Sequence, residues 1–156
     1  MKKRPIYESS SDLIKEKRVV EVISDALELE YHKLPRSYGL DFALFEPEDQ
    51  SLRCFVEVKC RENHSQRYDT LLLSLLKIIS GHKLTTATDK PCYLVAAFTD
   101  GLFFNKLLVP NLEIELSGRT DRNDPADLEP CVHYPLKKMR KAAAFNVFEE
   151  VPADES

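Results

Sequence analysis

Apolar residues recur at helical spacing from residue 9 to about Glu28, where Leu13, Val19, Val20, Ile23, Ala26 and Leu27 line one stripe. The serines at 9–11 and Asp12 supply helix-start chemistry ahead of it. The pattern then shortens to a period of two. Leu29 to Leu34 predicts a first strand ended by Pro35, residues 38–45 a second, and residues 52–60 a third, with the polar turn 46–51 between the last two. A polar linker, 61–67, precedes a run so rich in Leu and Ile that it predicts a second helix, from Tyr68 to about Thr85, packed on the sheet. Residues 92–98 are continuously apolar, as expected of a central strand. A turn at 99–101 leads to a strand over 102–109, and 111–116 alternate as a short edge strand. Residues 118–127 read as a polar loop and 137–141 as a basic cluster on a short helix. Residues 1–8 read as a loose arm. The expected organisation is one domain over 1–148 and a disordered tail over 149–156.

Two charged features break this apolar pattern. Glu57 and Lys59 share one face of the third strand, beside Phe55, while Val56 and Val58 take the other. Burying a carboxylate and an ammonium there is costly unless they pair or bind something. Glu16 falls in the middle of the first helix's apolar stripe. It either pairs with a nearby Lys or Arg or points into a site. Asp41 lies on the second strand and shares the face of Glu57 only if paired positions of the hairpin sum to an even number, as with Phe45 opposite Arg53.

The 156 residues fit one domain with a core, and 43% hydrophobic with 31% charged residues is an ordinary composition for a soluble protein. No apolar run reaches membrane-spanning length, so no membrane partner is expected. The basic start lacks an apolar signal region, and the four cysteines form no C-x-x-C pair. Together these predict reduced cysteines and a cytoplasmic location, the host cytoplasm if the chain is phage-encoded. The net charge of −4 argues against simple coating of nucleic acid, though not against a local basic patch.

The order of helix, three strands, helix and two strands, with acids on the first helix and the second and third strands, resembles the PD-(D/E)XK nuclease superfamily. The residues that carry the resemblance are Glu16-x-x-Val19-Val20-x-x-Ile23, Leu40-Asp41-Phe42 and Glu57-Val58-Lys59. The helix spacing is most similar to Holliday junction resolvases and related archaeal or phage endonucleases. Leu40 stands where the family name has proline, which removes no chemical group. No Gln-x-x-x-Tyr follows the third strand, against the helicase-linked exonuclease branch.

The resemblance implies an α/β, restriction-endonuclease-like core with a central mixed sheet flanked by helices. It implies a metal-dependent hydrolase of DNA phosphodiesters, a structure-selective endonuclease. Asp41, Glu57 and the Val58 carbonyl would hold Mg²⁺ or Mn²⁺, Glu16 would reach the ion directly or through water, and Lys59 would serve the attacking water. DNA is the implied partner, with specificity from DNA shape or a protein partner, and a symmetric homodimer is the usual assembly. The alternative is a non-catalytic module on the same scaffold that binds nucleic acid or protein. Arg61, Arg67, Arg119, Arg122, Lys137 and Lys138 are candidate backbone contacts. Lys77 reads as part of the solvated side of the second helix, with a phosphate contact as its functional reading.

Overall fold

The computed structural model describes residues 10–118 and 128–149. The expected arm at 1–8 and almost all of the expected tail lie outside these, as do Arg119 and Arg122.

The main sheet has six strands in the order β1-β2-β3-β5-β6-β9, with β1 Glu30–Lys33, β2 Phe42–Phe45, β3 Leu52–Cys60, β5 Cys92–Phe98, β6 Gly101–Lys106 and β9 Arg140–Ala143. The central β3 and β5 run parallel, and the other neighbours are antiparallel. A parallel pair needs a crossover. Here it is β4, Thr70–Ser74, followed by helix α2, Leu75–Thr88. β4 joins β7, Glu113–Gly118, and β8, Leu128–Pro135, in a second antiparallel sheet of order β4-β8-β7. The architecture is α/β, with a central mixed sheet and helices on both faces.

Helix α1, Ser10–Leu27, covers one face of the main sheet. Val19 and Val20 are fully buried against Phe42, Leu44, Val56 and Val58. Each such side chain contributes roughly 1.5–3 kcal/mol of burial. The opposite face carries Phe55, Leu94 and Ala96, packed under β4, β8 and α2. Phe103 and Phe104 pack on opposite faces, as interior residues. The four cysteines stand as thiols, three of them buried. Among the described residues, no helix is long and apolar enough to cross a membrane.

Several expectations need correcting. The ends of the first apolar stripe, Leu13, Ala26 and Leu27, are exposed, because α1 meets the sheet only around its middle. Residues 36–38 form a 3-10 turn closed by Gly39 at φ +80°, so the second strand starts later than its apolar run. The run from Tyr68 splits. Leu71 and Leu73 alternate inward as β4, and Ser74 then caps α2 by accepting from the Leu76 N–H. The strand expected over 102–109 stops at Lys106. Around 137–141 a 3-10 turn over Leu136–Lys138 leads into β9 instead of a short helix, because Arg140–Ala143 pair with β6.

The β2–β3 hairpin decides where Asp41 points. Phe42 pairs with Val56, Ala43 with Phe55 and Leu44 with Cys54, all sums of 98. The even register therefore holds from Phe42 to Leu44, and Asp41 stands one residue before the ladder begins. The register shifts between Leu44 and Phe45, so Phe45 pairs with Leu52 rather than with Arg53.

Candidate active site

Glu57 sits mid-strand on the central β3, facing α2, with 1% of its surface exposed. Its Oε2 lies 3.3 Å from Lys59 Nζ, two residues along the same face. It also lies 3.3 Å from Lys77 Nζ, which comes from the first turns of α2. Among the described residues, Oε1 is buried with no hydrogen-bond partner. Such an atom calls for an explanation, an unseen ion or water being the usual one. The Glu57 carboxyl is raised to about 7 on balance, with burial the largest cause. Lys59 pulls it down, Asp41 pushes it further up, and Lys77 pulls it down again.

Asp41 stands just ahead of β2, 8% exposed. Its Oδ2 accepts the Val58 N–H at 2.8 Å, which ties the acid to the strand that carries Glu57 and Lys59. Its Oδ1 lies 3.4 Å from Lys33 Nζ on β1. The same ammonium lies 3.7 Å from Glu16 Oε2 and sits over the Phe42 ring, 4.9 Å from its centroid. Lys33 thus links the acid of α1 to the acid of β2.

The structure therefore joins the expected residues in two linked groups. Asp41 is tied to the strand of Glu57 by the Val58 N–H and its charge acts on Glu57, Lys59 pairs with Glu57, and Glu16 reaches Asp41 through Lys33. Among the described residues, no three His, Cys, Asp or Glu side chains stand close enough to hold an ion by themselves. Lys77 is not on the solvated side of α2. Its side chain is 25% exposed, and it donates to the Gly39 carbonyl at 2.9 Å as well as pairing with Glu57.

The remaining candidate contacts lie further out. Arg61 follows β3 directly and donates to the Cys60 carbonyl at 3.0 Å. Arg67 is exposed, its guanidinium 5.6 Å from the centroid of the Tyr68 ring. Lys137 and Lys138 are exposed on the 3-10 turn, and Lys137 borders a cleft of about 670 Å³ that also takes in Tyr68, Phe98 and Phe103. Sequence reasoning missed Lys33. Its signal was its place on the strand just before the Pro35 turn, next to the strand of Asp41, but strand pairing had to be known first.

The profile of the family described as "Phage putative PDDEXK endonuclease" matches residues 2–142. Among solved structures, Hjc, a Holliday junction resolvase from Archaeoglobus fulgidus, is similar at 14% identity, covering 76% of this chain and 86% of that one, with a TM-score of 0.48. No curated protein matches the chain. The family match spans the helix, the hairpin and the strand on which Glu16, Asp41, Glu57 and Lys59 stand, and by it the chain belongs to the phage putative PDDEXK endonuclease family.

Proposed function

We propose that the protein is a divalent-metal-dependent deoxyribonuclease, a structure-selective endonuclease that works in the host cytoplasm. The observation that carries this reading is the even hairpin register together with the Val58 N–H bond that ties Asp41 to the strand of Glu57 and Lys59. Family membership supports the reaction class.

The residues suit a hard cation. Asp41 and Glu57 offer carboxylate oxygens, and the buried, unpartnered Oε1 of Glu57 is an acceptor with nothing else to bind. Mg²⁺ commonly takes one or two carboxylates and keeps several waters, so a third protein acid is not required. Asp41, Glu57 and the Val58 carbonyl would hold the ion, with Glu16 acting through water. Mg²⁺ or Mn²⁺ bound there would neutralise charge on the phosphate and favour ionisation of a water.

The chain's own groups do the rest. The Val58 N–H fixes the orientation of Asp41. Lys59, anchored by Glu57, orients the attacking water and offsets negative charge that builds on the phosphoryl oxygens. Lys33 keeps Glu16 next to Asp41. Arg61, Arg67, Lys137 and Lys138 contact the DNA backbone; Arg119 and Arg122, proposed for the same role, lie outside the described residues. Selectivity comes from DNA shape or from a protein partner, and the active species is a symmetric homodimer.

The test is cleavage of branched, single-stranded and duplex DNA with Mg²⁺ or Mn²⁺, alongside light scattering for the dimer. Branched DNA should be cut fastest. Asp41→Ala and Lys59→Ala variants that cut as well as the parent would remove the assigned site.

A further inference from the structure

Helix α2 brings the site an ammonium that the strand motif does not contain. Lys77 Nζ touches the same Glu57 oxygen as Lys59, both at 3.3 Å. It is also anchored on the Gly39 carbonyl at 2.9 Å. Ser80, one turn further along the helix, occupies the space that a Cβ on residue 39 would need. The helix is therefore seated on the turn that precedes Asp41, and Lys77 spans from that turn to Glu57. Two ammoniums on one carboxylate exceed what pairing requires. Over the whole cluster, three carboxylates (Glu16, Asp41, Glu57) face three ammoniums (Lys33, Lys59, Lys77), so the formal charge is zero before any metal enters. An arriving divalent ion gains little from a neutral cluster and is repelled by the nearest ammonium.

We propose that Lys77 is the resident counter-cation of this site. It holds Glu57 in place before a metal arrives and limits how tightly the metal is then held. The inference deepens the nuclease reading and rests on it. Lys77 also leaves Lys59 free to serve the water or phosphate, since Glu57 is not stranded as a lone buried charge when Lys59 turns away. Lys77 is accordingly a positioning residue, acting through Glu57 and the Gly39 turn.

The experiment is calorimetric titration of Mn²⁺ into the full chain at pH 8.5 without DNA. Parent, Lys77→Met, Lys77→Arg and Asp41→Ala proteins are compared. Lys77→Met keeps the stem and removes the charge, so it should bind Mn²⁺ about tenfold tighter, whereas Lys77→Arg stays within about twofold of the parent. In single-turnover cleavage Lys77→Met should be at least about tenfold slower, because Glu57 is less firmly placed. Tighter metal with slower cutting is a split that general damage to the fold would not produce. If Lys77→Met does not fold, Lys77→Gln keeps a donor for Gly39 and should shift Mn²⁺ affinity in the same direction. Unchanged or weaker Mn²⁺ binding by a folded, uncharged variant overturns the proposal. A parent that binds no Mn²⁺, or an Asp41→Ala protein that binds it as well as the parent, removes the metal reading itself.

Discussion

The two acids of the hairpin live in different surroundings. Glu57 is sealed under α2 with two lysines on one oxygen and its other oxygen idle. Asp41, at the end of the neighbouring strand, keeps a backbone donor on one oxygen and a half-exposed lysine on the other. On the Glu57 side both lysines are only 25% exposed. On the Asp41 side Lys33, 46% exposed, can move off into water. One half of the site is therefore held by burial and the other by a backbone hydrogen bond.

Substitutions should separate the halves. The largest effect is expected on cleavage. Glu57→Ala and Asp41→Ala should each lower single-turnover rates at least ~1,000-fold, as removal of groups that hold charge in a reaction centre does. If only one of the two matters, the acids do not work as a pair.

The next effect is on stability, and it has a sign. The Glu57 carboxyl is raised from an ordinary 4.5 to about 7 by burial, so the folded protein takes up a proton that the unfolded chain has already lost. The stabilisation linked to that proton is fully present below about pH 4.5 and is lost as pH rises through about 7. Glu57→Gln mimics the protonated form at every pH. It should stabilise the metal-free protein by up to ~3 kcal/mol at pH 8.5 and by almost nothing at pH 4, read by chemical denaturation at both. Equal stabilities of variant and parent at pH 8.5 would mean that Lys59 and Lys77 fully offset the burial.

Gly39→Ala comes third. Residue 39 sits at φ +80°, and a Cβ there meets Ser80. The change should cost roughly 1–3 kcal/mol, and cleavage should fall with it because the turn also places Asp41. Pairing it with Ser80→Gly should recover part of the loss.

The smallest effect belongs to Lys33→Met. As its partnerships are half-exposed, stability should change by less than ~1 kcal/mol. Cleavage should slow about tenfold as Glu16 loses its link to Asp41. An unchanged rate would assign Glu16 and Lys33 to structure alone.

Much of this arrangement can be read from the chain. The third and central strands fall at 52–60 and 92–98, as their apolar runs predict, whereas the sequence leaves the hairpin parity open because Phe42–Phe45 is apolar on both faces. The run from Leu71 to Ile79 misled because it is apolar whether read with a period of two or of 3.6. Only Ser74, as a cap, marks the junction. Strands β8 and β9 were hidden for a different reason. β4 and β6, with which they pair, lie far away in sequence, and Pro130 and Pro135 within β8 argue locally against a strand. Lys33 became a functional candidate only through tertiary placement, and so did the pairing of Lys77 with Glu57. A lysine's own neighbours do not say whether its helix face meets solvent or a carboxylate.

The register shift between Leu44 and Phe45 separates the tip of the hairpin from its working end. A slip of one position beyond that point would send Asp41 to the wrong side of the sheet. On the tip side the pairing has already departed from the regular ladder, so the segment over 46–51 can change length with the irregularity taking up the difference. That tip is where a tag, a fluorophore or a grafted loop can enter without disturbing the acids.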